Sequence, residues 1–279
     1  MSFNLLFIGD VVGRAGRDAV ADHLPGLIDR YDVHFVVLNG ENAAHGFGIT
    51  EAICEQFFDL GADVITLGNH SWDQRDALVF IERIPNLLRP VTYPAGTPGR
   101  GAGLFKARTG EQVLVVNAMG RLFMDAMEDP FAAVDRELAA CPLGQVSDFA
   151  VVDFHAEATS EKQALGVHVD GRATLVVGTH THVPTADHRI LPDGTAFQTD
   201  AGMTGAYDSI IGMDKVEPVQ RFVTKVPQAR FSPADGEGSL CGLAVLADPA
   251  TGLASKCAPV RIGGDVAPAI PSFWQDRHC

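Results

Sequence analysis

The sequence predicts an α/β protein built around a largely parallel sheet. Apolar runs of strand length alternate with amphipathic segments of helix length from Asn4 to Val177. Most of the runs deliver a polar residue or a glycine-containing turn at their carboxyl end. After His182 the texture changes to short runs joined by tight turns, which reads as antiparallel strands.

Asn4 to Gly9 is the first strand, and it ends in Asp10. The turn Val11 to Arg17 is glycine-rich, but it lacks both the G-x-G-x-x-G spacing and the Gly-Lys-Ser/Thr of a phosphate-binding loop. A helix is expected from Asp18 to Arg30. His34 to Leu38 is the second strand and delivers Asn39-Gly40-Glu41-Asn42; a loop to Gly48 and a helix from Ile49 to Leu60 follow. Val64 to Leu67 is the third strand. It delivers Gly68-Asn69-His70-Ser71-Trp72-Asp73, and Asp73 is placed to cap a helix from Gln74 to Ile84.

Pro85 to Gly103 reads as loop. Val113 to Asn117 is the fourth strand, and Phe131 to Ala140 a helix. Phe149 to Phe154 is the fifth strand and delivers His155-Ala156-Glu157, with a helix from Thr159 to Leu165. Thr174 to Val177 is the sixth and delivers Gly178-Thr179-His180-Thr181-His182. Thr195 to Thr199, Leu240 to Ala247 and Ser255 to Ile262 are the late strands, with turns at Pro192-Asp193-Gly194 and Asp248-Pro249. With no repeat, low-complexity tract or linker, residues 1–279 read as one domain.

The bulk numbers narrow the function classes. The net charge of −14 opposes an extended nucleic-acid groove, though a small phosphorylated substrate remains compatible if metal ions supply local positive charge. The five cysteines are odd in number and form no Cys-x-x-Cys pair, so reduced thiols in a cytoplasmic protein are expected. No run approaches the roughly 18 apolar residues of a membrane span, and no basic leader precedes the first apolar run.

Five strand ends carry potential metal ligands: Asp10, Glu41, Asn69, His155, and the pair His180 and His182. Ligands of open α/β sheets bind beyond the carboxyl ends of the strands. Residues two apart on extended chain face one side, so His180 and His182 can converge. Two carboxylates, one amide and three imidazoles exceed one open ion but suffice for two sharing a carboxylate. The N/O donor set suits Mn, Fe, Zn or Co and suits Ca poorly. Two ions roughly 3.5–4 Å apart can hold a hydroxide and the oxygens of a phosphoryl group. His70 then remains free to give a proton to a leaving oxygen.

These residues resemble the calcineurin-like metallophosphoesterase superfamily in Gly9-Asp10, Gly68-Asn69-His70, His155 and Gly178-Thr179-His180-Thr181-His182. Asn39-Gly40-Glu41-Asn42, Asp153 to Thr159 and Thr199-Asp200-Ala201-Gly202-Met203-Thr204-Gly205 are similar to its YmdB-like branch, represented by a cyclic-nucleotide phosphodiesterase. Two positions depart from the wider superfamily. Val12 stands where the first motif has histidine, and Glu41 where the bridging ligand is usually aspartate. The likeness to the YmdB-like branch extends to both.

The resemblance implies an α/β fold of two packed mixed β-sheets flanked by helices, a four-layer αββα sandwich. It implies two divalent transition-metal ions, Mn or Fe first, with Zn or Co as alternatives. Asp10, Glu41 and His182 would hold one ion and Glu41, Asn69, His155 and His180 the other, with Glu41 bridging. Asn42 would bind the first ion or orient substrate, and His70 would act as general acid. The expected reaction is hydrolysis of small nucleotide phosphodiesters, 2′,3′-cyclic ones first, by a metal-bound hydroxide. A phosphomonoesterase or 5′-nucleotidase on the same ions, and a regulatory nucleotide- or metal-binding protein with negligible turnover, stay open. A homo-oligomer, dimer or tetramer, is also implied.

Weaker signals surround this set. Glu157, Ser160 and Lys162 read as a solvated helix start from which Lys162 can reach a substrate phosphate. Asp200, Thr204 and Tyr207 lie in a glycine-rich loop that can line the pocket, and His45 can cover it.

Overall fold

The structure, a computed structural model, describes residues 2–274. In chain order its elements are β1 (Phe3–Ile8), α1 (Gly13–Tyr31), β2 (Phe35–Asn39), α2 (Glu51–Asp59), β3 (Val64–Thr66), α3 (Ala77–Phe80), β4 (Leu87–Leu88), β5 (Ala102–Lys106) and β6 (Gln112–Met119). There follow α4 (Pro130–Ala140), β7 (Phe149–His155), α5 (Thr159–His168), β8 (Leu175–Thr179), β9 (Arg189–Ile190), β10 (Ala196–Gln198), α6 (Val216–Thr224), β11 (Leu240–Ala247) and β12 (Ala254–Ile262).

The strands form two six-stranded sheets, ordered β12-β11-β1-β2-β3-β4 and β5-β6-β7-β8-β10-β9. In the first, β1 to β4 run parallel, and β11 and β12 add antiparallel at one edge. In the second, β6, β7, β8 and β10 run parallel between antiparallel β5 and β9.

Strand periodicity explains why there are two sheets. On β1, Phe3, Leu5 and Phe7 point to one core while Leu6 and Ile8 point to another. The first core lies between the sheets and also takes Val113, Val115, Phe149, Val151, Leu175 and Val177. Phe3 and Phe149 stack there with ring centroids 3.9 Å apart. The outer face of the first sheet packs on α1 and α2, through Leu24, Leu27 and Phe57. The outer face of the second packs on α4 and α5, through Val134, Leu138 and Leu165. The result is the expected αββα layering.

Several elements differ from expectation. α1 begins at Gly13, ahead of Asp18, because Gly13 takes a positive φ that turns the chain into the helix. The segment after Asp73 yields only the four-residue α3, and Asp73 does not cap it. β5 lies inside and just past the segment that reads as loop, and α6 has no counterpart among the expected elements. The Thr195–Thr199 strand, seen as β10, is antiparallel to β9 across the expected turn but parallel to β8.

Cys54 and Cys241 are buried, and Cys141 and Cys257 half-buried, all as free thiols. Cys279 and His278 lie outside the described residues. Among the described residues no helix is long and apolar enough to cross a membrane.

Candidate metal centre

The carboxyl ends of β1, β2 and β3 face those of β7 and β8 across the seam between the sheets. Asp10 follows β1, Glu41 follows β2, and Asn69 and His70 follow β3. His155 is the last residue of β7, and His180 and His182 follow β8. Asp10, Glu41, His155 and His182 are buried, and His180 half-buried.

The donors fall into two overlapping groups. Ligand atoms of Glu41, His155 and His180 lie within 4.8 Å of one another, as do those of Asp10, Glu41 and His182. Glu41 belongs to both. His155 Nε2 lies 3.1 Å from Glu41 Oε1, 2.9 Å from Asn69 Oδ1 and 3.1 Å from His180 Nδ1. Asn42 Nδ2 lies 3.0 Å from His182 Nε2 and donates to Glu41 Oε1 at 3.2 Å.

His180 and His182 converge, but not by strand alternation. β8 ends at Thr179, and both histidines take positive φ, 96° and 65°. Such conformations cost non-glycine residues roughly 1–3 kcal/mol each and persist where surrounding structure enforces them. Asp200 supplies that enforcement from below. Its carboxylate accepts from Thr181 N at 3.1 Å and Thr181 Oγ1 at 2.6 Å, and pairs with Lys162 Nζ at 2.7 Å.

Each histidine is aimed by its remote nitrogen. His155 Nδ1–H donates to Thr179 Oγ1 (2.9 Å), and the Thr179 hydroxyl donates to Asp153 Oδ1 (2.7 Å). Asp153 Oδ2 accepts from Thr66 Oγ1 at 2.5 Å and Asn39 Nδ2 at 3.0 Å. His182 Nδ1–H donates to Ile211 O at 2.8 Å, and His180 Nε2–H to Glu157 at 3.1 Å. These bonds turn the second nitrogen of each ring toward the centre, the arrangement that outer partners impose on metal-binding histidines.

The electrostatics are those of a crowded anionic site. Burial pushes Asp10 up to about 6, against the pull of His182 and His155. Burial also pushes Glu41 up, but His155 beside it outweighs this and brings it down to about 2. Burial opposes the charged form of His155, yet Glu41 and then Asp10 carry it up to about 9. Burial, then the His155 charge, pushes His180 down to about 3.

Three observations fit divalent ions here. Two buried carboxylates, Asp10 and Glu41, lie together, and among the described residues only histidines pair with them. Asn42 Oδ1 is buried with no hydrogen-bond partner among the described residues. Gly68 keeps the space clear, since a methyl group there would overlap the Glu41 carboxylate and the His155 ring. Because His155 in the metal-free chain holds a proton at neutral pH, ion binding has to displace it. Apparent affinity is therefore expected to rise about tenfold per pH unit between about pH 6 and 8. Titration calorimetry in buffers of different ionisation enthalpy reads the proton release; a pH-independent affinity would show that ion binding displaces no proton from His155.

His70 lies beside this cluster. Its backbone N–H donates to Glu41 Oε2 at 3.2 Å, and its ring meets Phe47 edge-on at 5.1 Å between centroids. Asp73 is its partner rather than a helix cap: the carboxylate lies 2.9 Å from His70 Nδ1. With Nδ1 held, Nε2 is the nitrogen available to a ligand. A pocket of about 390 Å³ opens here, lined at one end by Glu41, Asn42, His70, His180 and His182, and at the other by apolar side chains.

The weaker candidates are placed differently from expectation. Lys162 is not solvated: it is 1% exposed, with its ammonium on Asp200 rather than facing the pocket. Thr204 is buried, donating to Cys241 O at 3.2 Å and accepting from Cys241 N at 3.1 Å. Tyr207 donates to Met203 O at 2.9 Å. His45 and Ser160 are exposed, and neither is among the pocket-lining residues. Glu157, expected in a solvated helix start, touches His180. Asp153 is an anchor that sequence reasoning missed, although a lone carboxylate in an apolar strand was a usable signal. The apolar wall was missed as well, because Phe47 lies far in sequence from the loops and helix α6 that supply the rest of it.

Two stacked mixed sheets with a carboxylate–histidine cluster across their strand ends define a metallophosphoesterase sandwich. The chain belongs to the YmdB-like protein family, whose profile matches residues 6–260. It is 49% identical over 261 residues to a 2′,3′-cyclic-nucleotide 2′-phosphodiesterase of Bacillus subtilis strain 168, covering 94% of this chain and 97% of that one. A crystal structure described as a hypothetical protein from Thermus thermophilus superposes with a TM-score of 0.86 at 42% identity, over 94% of this chain and all (100%) of that one. A structure described as a novel phosphatase from Mycoplasma pneumoniae gives 0.87 at 32% identity, over 95% of each chain.

Proposed function

We propose that the chain is a metal-dependent phosphodiesterase that hydrolyses small nucleotide phosphodiesters, with 2′,3′-cyclic nucleotides as preferred substrates. The observation that carries this reading is Glu41, common to two ligand groups and adjacent to a histidine held by its own carboxylate. Asp10, Glu41, Asn42 and His182 would hold one divalent ion, and Glu41, Asn69, His155 and His180 the other. When bound, the ions supply positive charge to the phosphoryl oxygens and acidify water for attack on phosphorus.

The protein's own groups complete the reaction. Asp73 fixes His70 so that Nε2 faces the leaving ester oxygen. As water adds to phosphorus, losing a proton to solvent, and the ester P–O bond breaks, His70 gives a proton to the departing ribose oxygen. No lysine or arginine lines the pocket among the described residues, which favours a singly charged diester over a doubly charged monoester.

The N/O donor set favours manganese or iron, with zinc or cobalt as alternatives. Free thiols and an acidic chain fit a cytoplasmic enzyme acting on small molecules, with no extended nucleic acid bound. Homo-oligomers, dimers or tetramers, have a natural surface in α6, which is mounted inside out. Its polar side faces its own chain, with Arg221 packed over Phe231 and Glu217 accepting from Gln228 N and Ala229 N, while Val216, Val219 and Val223 are exposed.

Hydrolysis of 2′,3′-cyclic AMP against p-nitrophenyl phosphate with added Mn²⁺ tests the reading. The cyclic diester is expected to turn over with the higher kcat/KM. Faster turnover of the monoester would make the chain a phosphatase, and binding without product a regulatory protein.

A further inference from the structure

The apolar half of the pocket has no part in the metal chemistry. Phe47, Ile211, Met213, Phe222 and Phe231 form it, and every polar side chain lining the pocket lies at the metal end. We infer that this wall is a nucleobase slot that holds any base by stacking and apolar contact, without reading its hydrogen-bonding edge. The inference rests on the proposed activity toward cyclic nucleotides and names what receives the base when the phosphate meets the metal end.

Three features support this occupant. First, the wall is continuous with the ligand cluster. Phe47 touches His70, and the Ile211 carbonyl accepts from His182 Nδ1–H, so the wall begins where the ligand cluster ends. The volume of about 390 Å³ falls within the range of small-molecule pockets, roughly 300–1,000 Å³.

Second, the wall leaves apolar surface open to water. Phe222 is 72% exposed and Ile211 54%. Ile211 also takes a φ of 48°, a conformation that a β-branched residue rarely adopts. An exposed isoleucine in that conformation is disfavoured twice in the free chain, and a flat ring laid over it removes one of the two penalties.

Third, one wall is held in place and another is open to water. The Arg221 guanidinium lies over the Phe231 ring at 4.1 Å, and Glu217 holds Arg221 at 2.8 Å, so Phe231 is set before ligand arrives. Phe222 is exposed, with Lys225 Nζ over its ring at 5.6 Å, and offers apolar surface to a bound ring. Platforms of this kind accept every base because every base has a π-face.

The test compares kcat/KM of the Mn²⁺-loaded protein on the 2′,3′-cyclic phosphates of adenosine, guanosine, cytidine and uridine, and on methyl riboside 2′,3′-cyclic phosphate, which lacks a base. The four nucleotides are expected to lie within about tenfold of one another and to exceed the baseless ester by on the order of tenfold or more. Phe222→Ala and Phe231→Ala are expected to shrink the ratio of cyclic AMP to baseless ester at least about fivefold, and Phe222→Trp to restore it. Equal turnover of the baseless ester and cyclic AMP by wild type overturns the slot alone. So does an unchanged ratio in both alanine variants, or preference for one base beyond about a hundredfold. Absence of turnover of all five substrates overturns the cyclic-nucleotide reading and the slot with it.

Discussion

Glu41→Gln is expected to strip both ions from the protein and to lower kcat/KM on 2′,3′-cyclic AMP by more than about 10²-fold, beyond the roughly 10–100-fold that follows when only an outer partner of a metal is removed. Among the described residues, Glu41 is the one shared by the two ligand groups. The amide keeps the shape of the carboxylate and its contact with Asn42, but it carries no charge. His182→Ala and His180→Ala each remove a donor from only one group, so each is expected to cost one ion. Elemental analysis of the purified variants separates these cases. Two ions retained in the glutamine variant would show that Glu41 does not bridge.

His70→Ala is expected to behave in the opposite way, keeping both ions and losing turnover. General acid catalysis contributes typically about 10²–10⁴-fold, and kcat on a cyclic nucleotide should fall by that amount. The loss should shrink on bis(p-nitrophenyl) phosphate, whose leaving group departs without a proton. Asp73→Asn should show a smaller loss of the same kind, because it releases Nδ1 without removing the ring. Equal losses on both esters would mean that His70 acts by placing the phosphate rather than by giving a proton.

The strand ends were the most legible part of this chain. Asp10, Glu41, Asn69, His155, His180 and His182 all follow apolar runs closely, and the structure brings them together. The number of sheets was not legible from periodicity alone. β1, β2, β7 and β8 are buried on both faces, so their sequences read as continuous apolar runs whether one sheet or two is present. β5 was lost because its exposed and half-exposed residues, Ala102 to Lys106, resemble loop.

Asp73 differs from expectation for a chemical reason. A carboxylate at the head of a helix and a carboxylate that holds an imidazole are the same residue, and only the position of His70 tells them apart. Lys162 differs because α5 buries Glu161 and Lys162 together, against the usual sense of amphipathic periodicity. The apolar wall left no local signal, since Phe47, Ile211 and Phe231 belong to loops that meet only in three dimensions.

The donors divide evenly between the sheets. Asp10, Glu41 and Asn69 belong to one sheet, and His155, His180 and His182 to the other. An ion gripped by both sets is a removable cross-link between two halves of a fold, comparable in effect to a disulfide that a chelator could cut. Occupancy and folding then form one equilibrium: at free metal a hundredfold above the dissociation constant, binding adds about 2.7 kcal/mol to the free energy of opening the whole domain. Metal starvation would loosen the seam between the layers as well as silence the site.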